Sequence, residues 1–300
     1  MSRRFSSSSS QGPRLALASL SGAADARWAR AGAAEADAAF LGGIALDESA
    51  RSAARELVAR EREEFLPASP VAWIDEQLTG LADAPIQPGV NVRATSRDAI
   101  TRAAAVCARH DAVIEVNAHC RQPELCAVGC GERLLRDTDR LADYVAAAAE
   151  TGATTSVKLR TEVEGVDLPA TARALADAGA DVLHVDAMDS EGVIALVADA
   201  APGPFLLANN GVRDRQTVRE YLACGADGVS IGRPSDDPRV RRRVRAAVTE
   251  WFEGDRSVTD PGREGTTVST ADASTANAST ADTSTADDGS TERPASEVES

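Results

Sequence analysis

Apolar residues recur along this chain in two alternating rhythms. Short continuous runs stand at 15–19, 38–41, 90–93, 113–117, 155–159, 182–186, 205–209 and 228–231. Each is too short for a helix and too uniformly apolar for a half-exposed strand, so each reads as a strand buried on both faces. Between them lie stretches with helical spacing, at 23–31, 47–64, 71–81, 96–109, 137–149, 168–178, 190–199, 214–223 and 238–252. Asp47 and Ser96 stand where N-caps belong, and Gly179 and Gly225 stand where helices stop. Two helical pieces rather than one fill the gap between the second and third strands.

Eight buried strands alternating with helices over about 240 residues predict an α/β protein, a (β/α)8 TIM barrel. The barrel is expected over 14–253, after a disordered leader at 1–13. An open doubly wound sheet is the competing architecture. It usually carries fewer strands, and no Gly-x-Gly-x-x-Gly follows the first run here. From residue 254 the pattern ends. A five-residue unit beginning Thr-Ala-Asp or Thr-Ala-Asn repeats over 270–289, with almost nothing to bury. A disordered, low-complexity tail is expected over 254–300.

Charge alters this picture in one respect. The formal net charge is −15, of which the tail contributes −7, ten acids against three arginines. The cations are arginines with a single exception. An acidic, lysine-poor, alanine-rich chain suggests a halophilic protein kept soluble where salt screens repulsion. Five cysteines spread over 300 residues form no disulfide framework, so a reducing, cytoplasmic setting is expected. No apolar run is long enough to cross a membrane. Arg3-Arg4 raises the question of an export signal, but Gly12, Pro13 and Arg14 interrupt the apolar stretch that would have to follow.

The candidate chemistry gathers where strands end, as it does in this architecture. Lys158, the only lysine, closes the fifth strand in Ser156-Val157-Lys158-Leu159-Arg160. It suits a cation facing an anionic or polarised ring, or a Schiff-base nucleophile, and competes with a plain rim ion pair. His184 lies inside the sixth strand with Asp186 two residues on; the alternative is a satisfied core histidine. Asn209-Asn210-Gly211 and Ile231-Gly232-Arg233 follow strands seven and eight, the usual phosphate loops of this fold. Glycine amides and Arg233 suit that ligand. Cys120 follows strand four beside His119 and is the expected reactive thiol. A metal site from His119, Cys120, Cys126 and Cys130 is disfavoured, because their spacing lacks a C-x-x-C knuckle. Cys107 and Cys224 read as small buried hydrophobes.

Taken in order, these segments resemble the tRNA-dihydrouridine synthase family, within the flavin-mononucleotide barrels that include dihydroorotate dehydrogenase. Residues 16–22 resemble the family's opening strand and flavin-facing loop, which places Ser19 at the cofactor. Val90-Asn91-Val92 resembles the strand whose polar residue meets the flavin ring. Val116-Asn117-Ala118-His119-Cys120 resembles Asn-x-Gly-Cys-Pro, and Gly129 to Leu135 resembles the Gly-x-Gly-x-x-Leu-Leu that follows it. Val157-Lys158-Leu159-Arg160 matches Val-Lys-Ile-Arg. His184 resembles the histidine of His-Gly-Arg, although Val185-Asp186 follows it here.

The resemblance implies FMN as cofactor and NAD(P)H as reductant. It implies Cys120, Lys158 and His184 as catalytic residues. It implies Ser19, Asn91, Asn117, Lys158, His184, Asn210, Gly211, Gly232 and Arg233 as cofactor contacts, with no metal. The reaction implied is reduction of a uracil-type C5=C6 bond, in tRNA or in a small free pyrimidine. An acidic tail in place of the family's C-terminal helical domain works against tRNA, because anionic segments repel phosphate. A dihydroorotate- or dihydropyrimidine-type flavoenzyme and a non-redox aldolase or isomerase using Lys158 are the alternatives.

Overall fold

The computed structural model describes residues 12–254. Almost all of the expected leader and of the expected tail lies outside the described residues. Eight parallel strands close into a barrel in sequence order. They are Leu15–Leu17 (β1), Ala38–Ala45 (β2), Gln87–Arg93 (β3), Val113–Asn117 (β4), Thr154–Arg160 (β5), Val182–Asp186 (β6), Phe205–Asn209 (β7) and Gly228–Ile231 (β8). β1 pairs with both β2 and β8, so among these strands no edge is left open.

The helices follow the strands. Ala26–Gly32 (α1) succeeds β1, and the two-helix excursion after β2 is Glu48–Ala59 (α2) and Pro70–Thr79 (α3). Arg97–Arg109 (α4) follows β3. Two short helices, Pro123–Ala127 (α5) and Glu132–Leu135 (α6), occupy what the sequence suggested was one long loop after β4, and Thr138–Glu150 (α7) completes that crossover. Leu168–Asp177 (α8), Val193–Ala200 (α9), Arg215–Ala223 (α10) and Pro238–Gly254 (α11) follow the remaining strands. The 47–64 stretch stops being helical at Ala59, freeing 60–66 to cross toward the barrel mouth. Side chains of Asp25, Asp47, Ser96, Asp137, Asp167 and Asp214 each accept a backbone N–H at a helix start.

Strand alternation sorts the side chains. Leu15, Val90, Ile114, Val157, Val185 and Val229 face outward into the main core shared with the helices. Ala16, Ala38, Phe40, Val113, Val182 and Leu207 face inward and fill the lower barrel. At the N-terminal rim, Asp37, Asp181 and Asp227 accept the backbone N–H of Leu15, Thr155 and Leu206. That Ala-Asp rhythm belongs to stability. The inward positions above the apolar plug are polar, which leaves the C-terminal mouth for chemistry.

Candidate active site

Directly above the apolar plug, five strands contribute one buried network. Glu115 on β4 has no exposed surface. Its carboxylate accepts from Asn91 Nδ2 at 2.7 Å, Ser156 Oγ at 3.1 Å and His184 Nδ1 at 2.7 Å. His184 Nε2 meets Ser230 Oγ at 2.7 Å, and the Phe40 ring lies beside the imidazole, 5.3 Å between centroids. Burial holds the His184 ring below the usual histidine range; the neutral tautomer that suits these contacts donates from Nδ1 and accepts at Nε2. Burial opposes the charge on Glu115; the His184 ring, Lys158 and the Asn91 amide outweigh it and hold the carboxyl below the usual range.

Asn91 and His184, both expected to face a cofactor, are fully buried within this network. Asn91 spends its amide on Glu115 and its oxygen on Asn117 Nδ2, at 2.8 Å. His184 has both ring nitrogens engaged. Nor does His184 pair with Asp186. Asp186 instead meets His119 Nε2 at 2.5 Å. Burial depresses the His119 pKa despite that bond, with Lys158 and Arg160 adding to the effect.

The mouth itself carries Arg93 from β3, Asn117 from β4, Lys158 from β5 and Asp186 from β6. Lys158 is only 4% exposed. Among the described residues no hydrogen bond or ion pair engages its ammonium. Burial pushes its pKa down, against the pull of Glu115 and Asp186 and with the push of Arg93. Arg93 is tied to Glu64 at 2.6 Å and to Ser21 Oγ at 2.5 Å. Arg93 Nε and Glu64 Oε1 have no partner among the described residues. Gly43 leaves the space these groups use: a Cβ there would stand 2.6 Å from Asn91 Oδ1 and 3.2 Å from Arg93 Nε.

Asn117 shapes the loop that follows. Its Oδ1 accepts the backbone N–H of His119 at 3.1 Å and of Cys120 at 3.0 Å. His119 turns toward Asp186, while Cys120, partly exposed, packs beside Leu66 and the Leu125–Cys130 cluster on the Arg93 side. Cys126 Sγ contacts the Cys120 carbonyl, and Cys130 Sγ the Ala94 carbonyl. Burial raises the Cys130 thiol to about 12, which makes it inert. Among the described residues no group of His, Cys, Asp or Glu side chains is arranged to hold a metal ion. None of these residues' helices is long and apolar enough to cross a membrane.

The strand-seven and strand-eight loops lie on the same face. Asn210 and Gly211 both adopt positive φ, 98° and 62°, and the Tyr221 hydroxyl donates to the Asn210 carbonyl at 2.9 Å. Gly232 opens a 3-10 turn at Arg233–Asp236, braced by buried Arg241 donating to the Ser235 carbonyl. Arg233 itself is exposed, and Ser19 is half-buried just beyond β1. The sequence reading missed Glu115, Arg93, Glu64, Ser21 and the His119–Asp186 pair. Glu115 had a signal, a charge alone inside an apolar strand. Glu64 had none, since it reaches the mouth only because α2 ends early.

No family model matches the chain. An uncharacterized protein of Methanocaldococcus jannaschii is 27% identical over 208 residues, covering 64% of this chain and 78% of its own length. Among solved structures, DHODH in complex with ferulenol from Eimeria tenella aligns at TM-score 0.59 and 14% identity, over 81% of this chain and 82% of that one. A tryptophan synthase complex from Pyrococcus furiosus aligns at 0.51 and 14%, over 80% and 98%. A FabK variant from Thermotoga maritima aligns at 0.50 and 15%, over 74% of this chain and 62% of its own. At these identities the likeness is one of fold.

Proposed function

We propose that this chain is an FMN-dependent oxidoreductase that reduces a uracil-type C5=C6 bond with hydride drawn from NAD(P)H. One observation carries the reading. The chain's single lysine is buried at the barrel mouth with no partner among the described residues, on the face that also holds the loops after β7 and β8. A buried ammonium without a hydrogen-bond partner is costly unless a ligand completes it. The sequence resemblance and the fold shared with DHODH and FabK support the same reading.

The residues present fit the cofactor. Lys158 and Arg93 offer cationic donors without full complements of partners, and Gly43 keeps the wall beside them thin. The amides at Gly211 and Gly232, with Arg233, suit a phosphate. When bound, the flavin supplies hydride transfer. Lys158 favours negative charge on the ring it faces. Glu115 and His184, through the network below, fix the floor on which Lys158 and Asn117 stand. Asn117 orients the loop that presents His119 and Cys120. Cys120 delivers the proton to the ring carbon next to the one receiving hydride, and the His119–Asp186 pair walls the opposite side. The uracil-type ring is that of a tRNA nucleotide or a free pyrimidine; the acidic chain favours the small substrate.

A lowered lysine pKa also suits Schiff-base chemistry on a phosphorylated substrate. The visible spectrum of the full-length protein, purified in high salt, separates the two. Flavin absorbance that bleaches on anaerobic NADPH supports the oxidoreductase. A protein that takes up no added FMN, and whose Lys158 is trapped by borohydride with a carbonyl substrate, rejects it.

A further inference from the structure

A cavity of about 680 Å³ lies between the loop after β5 and the start of α9. Its size is that of a small-molecule site. Val163, Val166, Leu168, Val193 and Leu196 supply an apolar wall, and Leu196 is the most exposed large apolar side chain described, at 56%. The polar end is Arg160. It is 4% exposed, yet among the described residues its one hydrogen bond is a 3.4 Å contact from Nε to the Thr161 carbonyl. No carboxylate pairs with it among the described residues. The strand partner opposite it, Asp186, is committed to His119.

We infer that this cavity binds a small monocarboxylate with an apolar body, its carboxylate on the Arg160 guanidinium and its body along Leu168, Val193 and Leu196. A planar carboxylate matches a guanidinium edge with two parallel bonds. Three acids, Glu162, Glu164 and Asp167, also line the cavity and select against more highly charged ligands. Glu162 accepts from Ser190 Oγ at 2.8 Å and Asp167 caps α8, so neither neutralises Arg160, but both repel a dianion. The site does not require the flavin. It stands on Arg160 and the apolar wall.

Calorimetric titration of the full-length protein in high salt with octanoate, octanol, acetate and inorganic phosphate tests this. Octanoate is expected to bind one site at least tenfold tighter than the other three. Arg160→Gln is expected to weaken octanoate tenfold or more while leaving octanol unchanged. Because Arg160 is buried, Leu196→Glu, at an exposed position, provides a second reading: it should weaken octanoate tenfold without altering the thermal midpoint. Equal binding of octanol, equal binding of acetate or phosphate, or octanoate binding indifferent to both variants overturns the inference. None of these outcomes depends on flavin uptake, so failure here and failure of the oxidoreductase reading are read separately.

Discussion

Glu115 and His184 meet through a 2.7 Å hydrogen bond on the barrel axis, each without exposed surface. Removing one member of a buried pair leaves the other's polar atoms stranded, at about 3–5 kcal/mol. Glu115→Ala is therefore expected to destabilise the barrel by about that much in denaturant unfolding. Glu115→Gln keeps the shape and most of the contacts, and should cost about 1–3 kcal/mol. The cycle with His184→Gln should show strong coupling; additive effects would mean the two residues act independently.

The same burial gives the stability curve an acid limb above the carboxylate range. The folded-state pKa values of His184 and His119 both lie below the unfolded value of about 6.5. Between folded and unfolded values the unfolded chain binds more protons, so stability rises with pH there. The contribution is complete above about pH 6.5 and is lost as pH falls through the folded values. Urea midpoints at constant high salt should therefore drop between about pH 7 and pH 5. In His184→Gln the remaining slope should be shallower. Glu115 and Asp186, also lowered, add their loss only below about pH 4. A midpoint flat down to pH 5 would contradict the buried neutral imidazoles.

The barrel was legible because its strands are buried on both faces, so apolar run length alone marks them. Boundaries were less so: β2 extends to Ala45 through Gly42-Gly43, where glycine hides the strand signal, and β3 starts early through Gln87-Pro88. Lys158 was found because it is the only residue of its type, and its place at the mouth follows from its place on the strand. Partnerships were not legible. His184 sits two residues from Asp186, but adjacent strands bring it Glu115 instead, because residues two apart on one strand point the same way and do not meet. Side-chain pairing across a barrel is set by register, which no single strand encodes.

Lys158 can be followed chemically, since no other lysine competes. Burial favours its neutral, nucleophilic form, so its pKa lies below the ordinary value of about 10.4. Reductive methylation with formaldehyde, mapped by mass spectrometry, should show a pH midpoint for Lys158 below that value. Protection by added FMN would place the ammonium within the cofactor's reach. A midpoint at or above the ordinary value would mean that Glu115 and Asp186 dominate burial.

Gly131 fixes the loop behind Cys120. Its φ is 58°, and a Cβ would stand 2.2 Å from the Cys120 carbonyl oxygen. Gly131→Ala meets both a strained backbone and a backbone clash, which no rotamer change relieves. A loss of about 1–3 kcal/mol is expected in thermal unfolding. Alkylation of Cys120, followed by peptide mapping, should speed up as the loop shifts. An unchanged melting curve with unchanged alkylation would show that this loop does not depend on the glycine.

Two side chains compete to deliver the proton in the proposed reduction, and the loop sends them to opposite sides of the mouth. His119 is spent on Asp186 and held neutral by burial, which lowers its value as an acid near pH 7. Cys120 is partly exposed, and among the described residues it bonds through its backbone and not its sulfur, which leaves its S–H available. Positioned proton transfer contributes about 10²–10⁴-fold. Cys120→Ala should therefore slow substrate-dependent reoxidation of the reduced protein by about that factor, while leaving NADPH-dependent bleaching intact. His119→Gln should slow it by less than about tenfold, within the range of a wall residue's effect on fit. Stopped-flow absorbance resolves the two half-reactions, and the reverse order of effects would transfer the proton to His119.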